Sequence, residues 1–280
     1  MNYPVTIDRE KIKAFQDKGH LVTENVLTPE AIAKYGKAVD DQVAERTCED
    51  NRPVEDKTIY EQSFIQCMRL WETCPVVREL SCNSGLAGIA AQLLQSQSVL
   101  LWQDQALYKE AGGRETTAHQ DQTFWPIGTA PLISAWIPFD DIKANGGSMS
   151  YVSGSHRNGG LKVVDITHST QPYDILDDQS LSGLKIETVT PKAGSVVWHH
   201  GYTVHKAAAN ESDSTRRVFT IVYLAKGYHR VKAWPVFPLD RAGVAVGEIM
   251  QGEGLPILWP PTSKLPEPPK NQGQATGPQH

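Results

Sequence analysis

The chain has 280 residues, 40% of them hydrophobic, and a net charge of −5. That length can bury a sizeable core within one domain, and the mild acidity leaves no electrostatic footprint for nucleic acid. No apolar run approaches the roughly 18 residues of a membrane span, so no membrane partner is expected.

The opening residues, Met1–Asp8, show neither a basic n-region nor an apolar h-region, and the closing Gly277-Pro278-Gln279-His280 is not a peroxisomal address. Four cysteines, Cys48, Cys67, Cys74 and Cys82, form no Cys-x-x-Cys. Free thiols in a reducing cytoplasm are the expectation.

Helices come first along the chain. Asp8 is placed to cap a helix running to Lys18, with Gly19 just past its end. Leu21-Val22 reads as a short strand. Thr28-Pro29-Glu30 is a helix start, with a capping hydroxyl, Pro in the first turn and an acid facing the positive dipole end. Ile32, Tyr35, Val39 and Val43 follow at helical spacing, and Ser84–Gln95 is a third helix.

From Val99 the pattern turns strand-like. The runs are Val99–Lys109, Leu132–Phe139, Met149–Val152, Lys185–Thr190, Ser195–His199 and Val218–Leu224, separated by turns such as Gly112-Gly113 and Asn145-Gly146-Gly147. Many short strands read as a mainly β fold with flanking helices, a jelly roll. One domain is expected over residues 1–260, with a helical buttress mainly at 8–96 and a jelly-roll core at about 98–230. Residues 261–280, dense in Pro, Gly and Gln, read as a disordered tail. The long polar stretch Gly159–Leu184 and residues 50–63 are candidate lids, because loops of that length inside a compact domain usually carry function.

The chemistry concentrates at Thr117-Ala118-His119-Gln120-Asp121-Gln122, Gly201-Tyr202-Thr203-Val204-His205 and Arg216. Residues i and i+2 of a strand share a face, so His119 and Asp121 are expected to point inward and Gln120 outward. A third ligand must come from a distant strand folding back, and His205 is a candidate, with His199 and His200 as competitors. Two imidazoles and one carboxylate cover one face of an octahedral ferrous ion and leave three positions open. Arg216 opens a strand-like run and offers a planar guanidinium that grips a carboxylate bidentately. With nine His in the chain, a His-x-Asp pair arises by chance in about every other sequence of this kind, so the pair alone is weak.

Several blocks together resemble the phytanoyl-CoA dioxygenase family of iron(II)/2-oxoglutarate oxygenases, over roughly residues 10 to 230. They are Ala118–Gln122 followed by Phe124-Trp125-Pro126; Ser134–Pro138 followed by Asn145–Ser148; Val152–His156; and Pro191–Gly201 followed by Val204-His205, Asn210 and Arg216. The resemblance implies a double-stranded β-helix (cupin-like), iron(II) held by His119, Asp121 and His205, and 2-oxoglutarate anchored by Arg216 rather than Arg217. Gln105 and Trp136 fall where the family lines the co-substrate pocket. Ser153 stands where the family's turn has Pro. Ala207 stands where some members place a Ser that helps hold the co-substrate carboxylate.

The expected activity is oxidation of an unactivated C–H of a small-molecule metabolite or natural-product intermediate, with dioxygen consumed and succinate and carbon dioxide released. Phe124, Trp125 and Trp198 flank the ligands in sequence and are candidate walls of the substrate site, though core packing explains such aromatics equally well. Acyl-CoA hydroxylation and a non-oxidative cupin-like metal protein remain as alternatives, and the oligomeric state stays open. A related halogenase would need a small residue in place of Asp121, which excludes it.

Overall fold

The computed structural model describes residues 6–167, 169 and 171–270. Asp8 caps α1 (Arg9–Lys18) by accepting from the Lys11 amide, and Gly19 ends it with φ 77°. After β1 (His20–Thr23), Thr28 caps α2 (Pro29–Thr47) in the same way, accepting from the Ala31 amide. Three elements follow that the sequence reading missed: β2 (Ile65–Met68), α3 (Leu70–Thr73) and α4 (Pro75–Ser81). Each is too short to establish a period. Asn83 then caps α5 (Ser84–Leu93).

The remaining strands are β3 (Val99–Tyr108), β4 (Thr116–His119), β5 (Leu132–Pro138), β6 (Met149–Val152), β7 (Ile186–Val189), β8 (Val196–His200), β9 (His205–Ala207) and β10 (Val218–Ala225). A short helix α6 (Phe237–Arg241) and β11 (Ile257–Trp259) close the chain. They form a seven-stranded sheet in the order β1-β8-β5-β10-β3-β11, with β2 also on β3, and a four-stranded sheet in the order β4-β9-β6-β7. All described pairings within the two sheets are antiparallel. The two sheets make the jelly roll.

Strand alternation divides the large sheet into two faces. Ile133, Ala135 and Ile137 of β5, Val196 and Trp198 of β8, and Phe219, Ile221 and Tyr223 of β10 pack with Phe15, Tyr35, Val39 and Leu86 of the helices. The intervening residues Trp136, Val197 and Val218 face the small sheet, where they pack with Met149, Tyr151 and Ala207. The helices therefore cover the back of the sheet and leave its front for the site. Glu72, 1% exposed, is paired with Arg241 and ties α6 to α3.

The stretch 159–184 is more than a polar insertion. Val164, Ile175 and Leu181 are buried against Ala118, Val152 and Val204, so the segment clamps onto the outside of the small sheet. Part of the presumed tail is ordered too. Pro269 is buried and the Lys270 amide donates to Glu253, while residues 271–280 lie outside the described region. No described helix is long and apolar enough to cross a membrane.

Trp198 is wholly buried on the helix side, and its indole N–H donates to Thr23 Oγ1 at 2.9 Å. Its placement turns it away from the front of the sheet, against the expectation that it walls a substrate site. Trp198→Ala should therefore cost about 3–5 kcal/mol of unfolding free energy, the usual loss for a core Trp. Chemical denaturation checks this, and a loss under ~1 kcal/mol would contradict the assignment.

Candidate metal centre

His119 closes β4 and His205 opens β9, and the two residues pair directly across the ladder. Their rings stand 4.4 Å apart, centroid to centroid. Asp121 lies just beyond β4, at the start of a short 3-10 turn over Asp121–Phe124. The intervening Gln120 keeps extended backbone angles (φ −119°, ψ 125°), so strand alternation continues one residue past the strand and brings the carboxylate to the imidazoles. Both Nε2 atoms lie 3.5 Å from Asp121 Oδ1, and one ligand atom from each of the three residues falls within 4.8 Å of the others.

The proton inventory of this cluster is the informative part. His119 Nδ1 lies 2.7 Å from the Thr117 carbonyl, and His205 Nδ1 lies 2.9 Å from the Thr203 carbonyl. A carbonyl only accepts, so each Nδ1 carries the proton and each Nε2 presents a lone pair, a tautomer assigned from these bonds. Burial pushes His205 down to about 3, which keeps its ring neutral at pH 7. Burial disfavours an ionised Asp121, and a proton donated by His199 Nε2 to its outer oxygen favours it. Two imidazole lone pairs and a carboxylate oxygen thus converge with no hydrogen between them. That donor set fits a divalent ion of the ferrous type, with neutral imidazoles as ligands and their Nδ1–H groups fixed behind them.

The other carboxylate oxygen is held separately. His199 Nε2 lies 3.1 Å and Ser134 Oγ 3.2 Å from Asp121 Oδ2. The far nitrogen of His199 faces the Tyr151 hydroxyl at 3.5 Å. His199 therefore sits behind the carboxylate, outside the converging triad. His200 is elsewhere: its ring lies 5.4 Å from that of His156, and burial lowers it to about 4.

Gln120 faces outward from the metal ligands, as strand alternation predicts. It is nonetheless 1% exposed and not in solvent. It donates to the carbonyls of Gly159 and Tyr202 and accepts from the Leu161 amide, pinning the 159–184 segment beside the metal ligands. Nothing in the sequence says which segment lies over it.

Arg216 precedes β10 and is bridged to Lys109. Its guanidinium is buried, lies 5.4 Å from the Trp136 ring, donates to the Gly147 carbonyl, and leaves Nε without a partner. Burial lowers it to about 10. Thr220, opposite both Trp136 and Gln105, likewise has a buried hydroxyl without a partner. Gln105 accepts from Gln66, which accepts from Tyr60, a chain that sequence reasoning missed. Arg217, by contrast, points the other way and pairs with Asp40 and Asp140.

Of the expected substrate walls, Phe124 has its ring 5.9 Å from that of His119, and Trp125 packs edge-on against Trp102 at 5.9 Å. A narrow crevice of about 10 Å³, room for a single water, opens beside β4, lined by Ile59, Tyr60, Phe64, Arg114, Thr117 and Ile166 among others and by none of the three metal ligands. Both segments marked as lids in the sequence contribute to it.

A fold and site of this kind define a non-haem iron oxygenase architecture. The sequence profile of the phytanoyl-CoA dioxygenase family matches residues 15–218, and the chain belongs to that family. It is 31% identical over 153 residues to phytanoyl-CoA dioxygenase domain-containing protein 1 of Danio rerio, covering 52% of each chain. It is 24% identical over 153 residues to phytanoyl-CoA dioxygenase of Arabidopsis thaliana, covering 54% of this chain and 53% of that one. The chain thus spans about half the length of the curated relatives it matches. Among solved structures, the non-haem alpha-ketoglutarate-dependent carbocyclase SnoK from nogalamycin biosynthesis aligns with TM-score 0.74 and 26% identity, over 90% of this chain and 96% of that one. The epimerase SnoN, solved with Fe3+, alpha-ketoglutarate and nogalamycin RO, shares the fold with TM-score 0.68 at 21% identity, over 89% and 97%.

His119→Ala and His205→Ala should each abolish tight iron(II) binding. His199→Ala should keep the metal and weaken it by about 10- to 100-fold, the usual effect of removing a partner behind a ligand. Equilibrium iron titration under anaerobic conditions measures this. Iron retained in His205→Ala and lost in His199→Ala would reverse the assignment.

Proposed function

We propose that this protein is an iron(II)- and 2-oxoglutarate-dependent oxygenase. It oxidises an unactivated C–H of a small-molecule metabolite or natural-product intermediate. The single observation that carries the reading is the convergence of His119, Asp121 and His205 through lone pairs alone, with a buried Arg216 that meets no acid among the described residues. The likeness to the carbocyclase SnoK over nearly the whole of both chains supports it. Four thiols that form no disulfide suit a cytoplasmic setting.

When bound, iron(II) with 2-oxoglutarate and dioxygen supplies the oxidising power, and the co-substrate leaves as succinate and carbon dioxide. The residues of this chain do the rest. His119, His205 and Asp121 would hold the ion. Arg216 anchors the distal carboxylate of the co-substrate against Trp136 and Gln105. Phe124 and Trp125 line the approach to the metal ligands. The prime substrate enters beside Ile59, Tyr60, Phe64 and Ile166, where the crevice must widen to admit it and close again to exclude water from the reacting centre. Among the described lining residues Arg114 is the one cation, which favours a small metabolite over an acyl-CoA with its several phosphates.

The direct test is succinate formation from 2-oxoglutarate with iron(II), screened against a metabolite library. Arg216→Leu should raise the 2-oxoglutarate KM strongly while iron stays bound. Losing a charge-assisted carboxylate pair costs about 2–5 kcal/mol, or roughly thirty-fold to several-thousand-fold. Arg217→Leu should change the KM less than about threefold, because its partners lie on the opposite face. Equal effects from the two variants would contradict the reading.

A further inference from the structure

A second cation is buried beside Arg216. Lys109 follows β3 and is fully buried. It faces Arg216 across an antiparallel bridge, the Lys109 amide donating to the Arg216 carbonyl at 3.0 Å and the Arg216 amide to the Lys109 carbonyl at 2.8 Å. Residues directly opposed in this way put their side chains on the same face, and like charges so placed repel. Both side chains pass over Gly147. A Cβ built there would stand 2.9 Å from Lys109 Cδ and 3.4 Å from both Arg216 Cδ and Nη1, so only glycine leaves room for the pair.

Neither side chain has an acidic hydrogen-bond or ion-pair partner among the described residues, and Glu115 acts on Lys109 only from a distance. Lys109 Nζ donates to the Arg114 carbonyl and lies 3.4 Å from Thr116 Oγ1, and the Arg216 guanidinium donates to the Gly147 carbonyl. All three acceptors are neutral, and an ammonium has a third N–H to give. Burial, reinforced by Arg216 and Arg114 and only partly opposed by Glu115, pushes Lys109 down to about 6, so its amine gains a proton readily at pH 7 only when an anion lies against it. A buried guanidinium and a buried amine, directly opposed and each with neutral partners, form a pair that a carboxylate would complement, the anion itself favouring the protonated amine. Thr116, next to the ammonium, is paired with Ala207, the position where the sequence resemblance expects a hydroxyl helping the co-substrate carboxylate.

We infer that Lys109 is a second carboxylate-binding group of the co-substrate pocket, acting with Arg216 as a two-cation clamp on the distal carboxylate of a 2-oxo diacid in place of the hydroxyl missing at Ala207. The inference rests on the co-substrate reading proposed above. It adds that the clamp selects 2-oxo acids with two carboxylates over those with one.

The test is anaerobic calorimetric titration of the iron(II)-loaded protein with 2-oxoglutarate and with 2-oxopentanoate, which lacks the distal carboxylate. Lys109→Met should weaken 2-oxoglutarate at least tenfold and 2-oxopentanoate less than twofold, and Lys109→Arg should restore most of the discrimination. In thermal melting without co-substrate, Lys109→Met should be no less stable than the parent, since it relieves repulsion. Adding 2-oxoglutarate should raise the parent's Tm more than the variant's. Should Lys109→Met fail to fold, Lys109→Gln keeps a donor for the Arg114 carbonyl and should show the same selective loss. Unchanged 2-oxoglutarate affinity, or an equal loss for both acids, overturns the role of Lys109 and leaves it a structural lysine. Arg216→Leu, run alongside, separates the two levels: if it too binds both acids as the parent does, the co-substrate reading itself fails.

Discussion

Two lone pairs and a carboxylate oxygen pointed at one another, with every nearby proton directed elsewhere, is an arrangement that a folded chain does not hold without reason. Burying unpaired acceptors is costly, and each of these has been prepared for the role. The carbonyls of Thr117 and Thr203 take the Nδ1 protons of the two imidazoles. Ser134 and His199 engage the outer oxygen of Asp121 and leave the inner one facing the rings. The rest of the molecule serves that convergence. Pairing of β4 with β9 sets the imidazoles opposite each other, and the helices cover the back of the large sheet so that its front can carry polar side chains.

The same logic recurs with opposite sign at Arg216 and Lys109. There the excess is positive, and the partners are carbonyl and hydroxyl oxygens. On the proposed reading, the acceptor-rich cluster at the metal ligands and the donor-rich one at the head of β10 are the two ends of one site, one for a cation and the other for an anion. A 2-oxo diacid has the complementary form, a chelating 2-oxo acid group at one end and a carboxylate at the other.

Much of this was legible in the sequence, for identifiable reasons. Strand alternation and cap chemistry are local, so Asp8, Thr28 and the long runs of β3, β5 and β10 announce themselves. The candidate triad was legible because ligand chemistry restricts residue type, and the structure brings its three residues together; Arg216 stood out as a candidate for the same reason. What escaped depends on contacts between distant segments. Strands of three or four residues such as β2 and β11 have no period to read. The run Val196–His200 is buried on both faces, so its pattern did not tell which of Trp198 and His199 faces the site. Strand alternation turned Gln120 outward, but the chain gives no sign that Gly159–Leu161 folds over it. Lys109 looked like the end of a strand until its bridge to Arg216 placed two cations side by side.

The central claim is that the metal ligands and the cationic pocket form one site for a chelating co-substrate. The most direct measurement is the affinity of the protein for 2-oxoglutarate with and without iron(II), dioxygen excluded, by calorimetry. One molecule bound per chain, at least tenfold more tightly with the metal than without, is the predicted result. Equal affinity in both cases would show that the two halves are not one site, and would contradict the account.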